Sequence, residues 1–286
     1  LKIGIQGIKA SFHDVAAKKY FANHEISPVE CLTFKNLCTT LQNKDSKYAL
    51  MAIENSIAGS ILTNYSLLET YNFKIIGEVF LRIKMNLMAL PGQKLEDIRI
   101  IQSHPMALLQ CQEFLTDHPQ MPKMKILESS DTAESAKVIF EKQLLSNAAI
   151  ASELAAETYH LEILRHGIET NRQNYTRFLV ISNRETPSFF TTEDILPNKT
   201  SLCFEVDHRP GSLAYILNIF SQHNVNMTKI QSVPILGKPY QYSFHIDLEW
   251  VDYELFQTAI AIVNTKVSRL VSFGEYRSGE RSTEQT

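Results

Sequence analysis

The sequence predicts an α/β protein in two parts, and three observations carry that expectation. From Lys2 to Ser182, short apolar runs alternate with segments of helical spacing, the pattern of strands joined by helices in a largely parallel sheet. Across residues 183–199 the alternation lapses into "NRETPSFFTTEDILPNK", polar and holding Pro187 and Pro197, which reads as a linker. A strand, helix, strand, strand, helix, strand order then follows over roughly 75 residues, the order of a ferredoxin-like split βαβ domain.

In chain order, "KIGIQG" is a strand before the helix "DVAAKKYF", and "KYALMAIEN" a strand before "SILTNYSLLETYN". The long run "KIIGEVFLRIKMNLMAL" is followed by the strand "IRIIQSH" and the helical "PMALLQCQEFL". "KILESS" precedes "TAESAKVIFEKQLL", and "NAAIAS" precedes "ELAAETYHL". Beyond the linker, "TSLCFEVD", "NMTKIQSVPI", "YQYSFHIDLEW" and "VSRLVSFGEY" are strands, and "GSLAYILNIFSQH" and "DYELFQTAIAIVNTKV" are helices.

The chain has 286 residues, enough for two domains, and its 44% hydrophobic share suits a globular core. A net charge of -3 argues against nucleic acid or an anionic membrane as partner. Cys31, Cys38, Cys111 and Cys203 are scattered without CxxC or paired His spacing. That excludes a disulfide framework or zinc site as the first reading and predicts a reducing, cytoplasmic setting. No apolar run approaches the ~20 residues of a membrane helix, and no signal-peptide pattern is present. Walker, GxGxxG and HExxH motifs are missing, so no cofactor or metal is expected.

Polar residues recur where strands give way to helices: His13 and Asp14, "ENSIAGS" (Glu54 to Ser60, including Asn55 and Ser56), "SHP" with Ser103 as N-cap, and "SSDT" ending at Thr132. Helix N-termini carry unpaired N–H groups and attract carboxylate or phosphate. Such residues are more often simple caps. Gln110 lies two helical turns beyond Ser103, either directed into the same cleft or solvated.

"NYTRFLVI" poses a sharper question. Thr176, Phe178 and Val180 share one strand face and Arg177, Leu179 and Ile181 the other, both continuing apolar, so the strand is central. A buried guanidinium needs a partner, and Arg177 is either a structural ion-pair member or a carboxylate anchor. Thr176 is either a plain strand-edge residue or a hydroxyl within reach of a ligand.

"NYTRFLVI", "AIENSIAGSI" and "SHPMALLQC" resemble three motifs of the prephenate dehydratases, and "RPGSLAYIL…NVNMTKIQSVP" resembles the ACT regulatory domain that follows them. The matches run in order along nearly the whole chain. The resemblance implies a catalytic domain over 1–182 with two lobes like type II periplasmic binding proteins, a linker over 183–199, an ACT domain over 200–276 and a polar tail over 277–286. It implies a carbon–oxygen lyase that converts prephenate, a small dicarboxylate, to phenylpyruvate in phenylalanine biosynthesis, without cofactor. It further implies a homodimer or homotetramer, with phenylalanine as allosteric ligand at ACT interfaces. Thr176 then serves the leaving hydroxyl, with Glu54 as the acid behind it or merely structural. Asn55, Ser56, Ser103, Gln110, Thr132 and Arg177 would orient substrate. Gly211, Ser212 and Leu213, with Asn224 and Asn226 at the next strand, would hold the regulatory ligand, Gly211 and Ser212 through their N–H groups.

Two departures stand out. The first strand–helix turn reads "GIKASFHD", with Lys9, Ala10 and His13 at altered positions, so that a glycine is missing at Ala10 and a small hydroxyl at His13. The ACT motif E-S-R-P reads "QSVP", Gln231 to Pro234. An arogenate dehydratase and a non-catalytic amino-acid-binding regulator are the alternative functions.

Overall fold

A computed structural model describes residues 1–119, 123–187, 189, 196–235 and 237–280. Part of the expected linker (188 and 190–195) and the end of the expected tail (281–286) lie outside the described residues.

The chain opens with β1 (Lys2–Gln6), α1 (Phe12–Tyr20), β2 (Ser27–Cys31), α2 (Phe34–Gln42), β3 (Tyr48–Asn55) and the short β4 (Gly59–Ser60). Next come α3 (Leu62–Tyr71), β5 (Lys74–Arg82), β6 (Asn86–Ala89), β7 (Ile100–Ser103), α4 (Pro105–Gln110) and α5 (Gln112–Asp117). β8 (Lys125–Glu128), α6 (Thr132–Glu141), β9 (Asn147–Ala151), α7 (Glu153–Thr158), β10 (Glu162–Arg165) and β11 (Tyr175–Ser182) follow. The C-terminal set is β12 (Lys199–Glu205), α8 (Ser212–Gln222), β13 (Asn226–Pro234), β14 (Tyr242–Glu249), α9 (Tyr253–Asn264) and β15 (Arg269–Tyr276).

Two sheets carry the expected α/β part. One has the order β2-β1-β3-β11-β5, the other β10-β6-β9-β7-β8. The pairs β1–β2, β1–β3, β7–β8 and β7–β9 are parallel, whereas β6 runs antiparallel to both β9 and β10. β11 is central, as its two apolar faces demand: every residue after Tyr175 is buried. The long run "KIIGEVFLRIKMNLMAL" is divided at Ile83–Met85, so β5 serves the first sheet and β6 the second. β2, α2 and β10 escape a reading of apolar pattern. β2 contains Pro28 and, like β10, lies at a sheet edge, where little is buried.

Two compact units emerge, Leu1–Gly59 with Phe80–Phe178, and Ser60–Val79 with Leu179–Thr286. This division differs from the expected boundary at 182, because α3 and the first half of β5 group with the C-terminal residues. The reason lies in the second unit's sheet, ordered β13-β14-β12-β15, which is the ferredoxin-like arrangement. Its one face packs Leu202, Phe204, Ile246 and Leu248 against Ile216 and Phe220 of α8 and Phe256 and Val263 of α9. Strand alternation turns Lys199, Ser201, Cys203, His245 and Asp247 to the other face. All five are nonetheless buried, and partners from 60–79 meet them: Glu78 for Lys199, Glu69 and Tyr65 for His245.

No helix among the described residues is long and apolar enough to cross a membrane.

Candidate active site

β3 ends at Asn55, and the start of β11 lies beside that end: Ser56 N–H donates to Tyr175 O at 2.8 Å, and Tyr175 N–H donates to Ser56 Oγ at 2.9 Å. Thr176 therefore sits at the carboxyl edge of the parallel strands β1 and β3, where open α/β sheets hold ligands. Asn55 is the hub. Its Oδ1 accepts from Ile57 N–H (3.0 Å) and Ala58 N–H (2.9 Å), which fixes the amide's orientation. Its Nδ2 donates to Thr176 Oγ1 at 3.0 Å, to Asn174 Oδ1 at 2.7 Å and to Tyr175 O at 3.3 Å. Asn174 in turn donates to Gln110 Oε1 at 2.9 Å.

The consequence falls on the threonine proton. With an amide donating into Oγ1, the Thr176 hydroxyl hydrogen points elsewhere, and it has no acceptor among the described residues. Thr176 is 9% exposed, so this donor sits in a nearly dry setting. Asn174 is wholly buried and was given no role from sequence. Its signal was available, since residues two apart in a strand share a face and Asn174 precedes Thr176 by two.

On the same face beyond Thr176, Phe178 meets His13 edge-on, with ring centroids 4.9 Å apart. His13 is 9% exposed, its Nε2 has no hydrogen-bond partner, and burial lowers its pKa to about 3, so the ring is neutral. The turn carrying it is held by the second sheet's lobe: Ser152 Oγ donates to Ala10 O at 2.8 Å and Tyr159 OH to Lys9 O at 3.1 Å. A Cβ at Gly7 (φ +93°) would collide with the Asp131 carboxylate, so glycine is required there. Ala10 adopts the left-handed φ of +70° for which the missing glycine would be suited.

The helix starts differ from the anion sites expected of them. The α1 terminus is capped by Ser11 and already holds the buried carboxylate of Asp14, whose Oδ2 accepts from Ala10 N–H at 2.8 Å. "ENSIAGS" is a turn leading to β4, not a helix start, because Asn55 Oδ1 captures the N–H groups of Ile57 and Ala58. The cap of α4 is His104 rather than Ser103, with His104 Nδ1 accepting from Met106 N–H at 3.2 Å. Ser103 is fully buried and spends its hydroxyl on Ile150 O at 2.6 Å. Asp131 caps α6, its Oδ1 accepting from Ala133 N–H at 2.7 Å, and Thr132 follows as the first helical residue, buried. At each of these termini a side chain of the protein itself takes one or two of the leading N–H groups. Ser56 is likewise committed, donating to Gln173 O at 2.8 Å.

Glu54 and Arg177 are separate from this network. The pleat that turns Asn55 and Thr176 toward each other turns Glu54 and Arg177 to the opposite faces of β3 and β11. No hydrogen bond joins Glu54 to Thr176, so a relay from Glu54 as the acid would need an intervening group. Arg177 is only 5% exposed.

Comparison with known proteins decides the family. The prephenate dehydratase family model matches residues 3–186. The chain belongs to the prephenate dehydratase family. It is 32% identical over 278 residues to a bifunctional chorismate mutase/prephenate dehydratase of Aquifex aeolicus, covering 96% of this chain and 73% of that one. It is 35% identical over 265 residues to arogenate dehydratase 2 of Petunia hybrida, covering 87% and 64%. A prephenate dehydratase from Arthrobacter aurescens solved with L-Phe superposes with a TM-score of 0.83 at 26% identity, covering 97% and 90%. GqqA, described as a novel type of quorum quenching acylase, superposes at 0.84 with 29% identity, covering 97% and 98%.

In this family member the residues expected to hold a regulatory ligand do not all come together. Gly211, at φ +83°, precedes α8, whose N-terminus has no side-chain cap. Ser212 N–H is taken by Arg209 O at 3.2 Å, correcting the expectation that it is offered to a ligand. A cavity of about 820 Å³ lies beside this turn, lined among others by Asp207, Arg209, Ser212, Leu213 and Lys238. Asn224 and Asn226 lie past the other end of α8, which spans 11 residues at about 1.5 Å each. One chain cannot place both groups on one small ligand.

Proposed function

We propose that this family member converts prephenate to phenylpyruvate, with Thr176 as the residue that serves the leaving hydroxyl. In the reaction the ring carboxylate departs as CO2 and its bonding electrons enter the ring. The C–O bond at the opposite ring carbon breaks, and the departing hydroxide takes up one proton to become water. Aromatisation drives the step, so the protein's work is to orient the substrate and stabilise that oxygen.

The observation that carries this reading is the Asn55–Thr176 hydrogen bond, which leaves the threonine hydrogen as a directed donor. A threonine hydroxyl is too weak an acid to ionise here. It acts through a hydrogen bond that strengthens as charge develops on the leaving oxygen, with the proton drawn ultimately from water. Asn55, Asn174 and Gln110 set its position. Lys9, exposed on the β1–α1 turn and without an ion pair among the described residues, is a cation suited to the substrate's side-chain carboxylate. Ser56 and Ser103, whose hydroxyls donate to Gln173 O and Ile150 O, act by building the site's edges, and Thr132 contacts the substrate.

The C-terminal unit is read as an ACT domain that takes phenylalanine. Its support is the uncapped start of α8 beside a cavity lined by the Asp207–Arg209 ion pair, which an amino acid's ammonium and carboxylate groups would have to part in order to pair with each. Because Asn224 and Asn226 stand at the far end of α8, a site using both groups joins two chains, in a homodimer or homotetramer. Four free, buried cysteines accord with a cytoplasmic setting.

Arogenate, which carries an amino group in place of the keto group, is the second reading, and the similarity to the Petunia enzyme favours testing it. Purified protein is given each compound and kcat/KM is measured for phenylpyruvate and phenylalanine formation. Preference for prephenate supports the proposal. Turnover of arogenate alone replaces it, and turnover of neither leaves a binding protein.

A further inference from the structure

We propose that the C-terminal unit binds one thiophilic divalent cation of the zinc class through Cys203, His245 and Glu69. Cys203 on β12 and His245 on β14 are direct cross-strand partners. That pairing sets their Cβ atoms about 5 Å apart on one face of the sheet, a separation one metal ion can bridge. Glu69 of α3 closes the group: its Oε2 is 3.7 Å from His245 Nε2 and 4.0 Å from Cys203 Sγ. All three donor atoms lie within 4.8 Å of one another. Tetrahedral coordination at about 2.0–2.3 Å per ligand needs only a modest contraction of that triangle.

The independent sign of a ligand is His245 itself. It is 3% exposed, and its Nε2 has no hydrogen-bond partner although a carboxylate and a thiol stand beside it. Buried polar atoms are rarely left so. Burial lowers its pKa to about 4, so the imidazole is neutral and its lone pair is free for a metal. The ring is fixed by Phe273, stacked at 5.8 Å, and by Tyr65, edge-on at 5.1 Å.

Arg269 does not compete for the ligand atom. It pairs with Glu69 through Oε1 and with Glu205 at 3.2 Å, leaving Glu69 Oε2 turned toward Cys203 and His245. Burial pushes the Cys203 thiol up to about 12, so metal entry must displace the thiol proton to solvent. The dication thereby meets a thiolate and a carboxylate, two negative charges. The ligands come from a helix at 62–71 and from strands beyond 199, so a bound ion would tie α3 to the sheet.

The test uses the full chain, freed of metal and titrated with Co2+ alone. One equivalent is expected to raise a thiolate-to-cobalt charge-transfer band with tetrahedral visible bands, lost in both Cys203→Ser and His245→Gln chains that still melt cooperatively. No band in the wild type overturns the proposal, as does a band that survives either substitution; survival in Cys203→Ser assigns it to Cys31, Cys38 or Cys111, and survival in His245→Gln removes the histidine from the site. Should the variants fail to fold, X-ray absorption of the zinc-loaded wild type decides. One sulfur with an imidazole in the first shell supports the site, and a shell without sulfur refutes it.

Discussion

Asn55 Nδ2 donates to Thr176 Oγ1 at 3.0 Å, while Asn55 Oδ1 is held by two backbone N–H groups. The amide is thus locked with its donor toward the hydroxyl, and the hydroxyl becomes a donor to whatever enters the site. Asn55→Asp tests this directly. The carboxylate keeps both backbone bonds but offers Thr176 an acceptor, so the threonine hydrogen turns inward. A fall in kcat of about 10²–10³, the scale of losing one donor at a developing oxyanion, is expected with KM changed only a few-fold. Steady-state kinetics on the folded variant check it.

Arg177 and Glu54 project from the same side of neighbouring strands, away from Thr176, and we expect them to stabilise each other. Arg177 is buried and Glu54 half-buried, so leaving the guanidinium without a carboxylate is expected to cost less than the about 3–5 kcal/mol of a fully buried pair. Arg177→Met and Glu54→Gln are each expected to destabilise the fold, with a coupling energy in the double variant and kcat largely kept. Denaturant melts and kinetics of the three variants measure this. A folded Arg177→Met chain with a raised KM alone would instead make Arg177 a substrate anchor.

Much of this was legible in the sequence. β11 was placed as a central strand because both its faces continue apolar, and the ferredoxin-like unit because six elements follow in order. Thr176, Asn55 and Gln110 were named as candidates, and the structure joins them in one network through Asn174. The helix termini misled because a Ser or Asp beside a helix start looks the same whether it awaits a ligand or caps its own backbone. Only the hydrogen-bond partners of Asp14, His104 and Asp131 reveal the difference. The grouping of α3 with the C-terminal unit was invisible because it depends on buried polar pairs, and a lone Glu69 or Glu78 carries no mark of a partner some 120 or more residues away.

Lys199 is the clearest of those pairs. It is 1% exposed, with Glu78 at 2.9 Å and Glu249 at 3.1 Å. Lys199→Met leaves the Glu78 carboxylate buried without its cation and is expected to cost about 3–5 kcal/mol. A double variant adding Glu78→Gln should recover part of that loss. Urea unfolding at equilibrium reads both values.

Acid sensitivity follows from two buried histidines. His13 and His245 have pKa values lowered by burial from 6.5 to about 3 and about 4. The unfolded chain therefore binds more protons than the folded one between those values and 6.5. Their contribution to stability is complete above pH 6.5 and is lost as pH falls toward the folded values. Each should add a slope of about 1.4 kcal/mol per pH unit in that window. Unfolding free energies measured from pH 7 to pH 5 are expected to fall, and less steeply in His13→Asn.

The most direct measurement of the central claim is single-turnover conversion of prephenate by Thr176→Ala. The substitution leaves Asn55 Nδ2 bonded to Asn174 Oδ1 and Tyr175 O, so the site's frame survives. We predict a loss of about 10²–10³ in the chemical rate with the melting temperature nearly unchanged, partly restored by Thr176→Ser. A folded Thr176→Ala protein that forms phenylpyruvate at close to the wild-type rate would contradict the account.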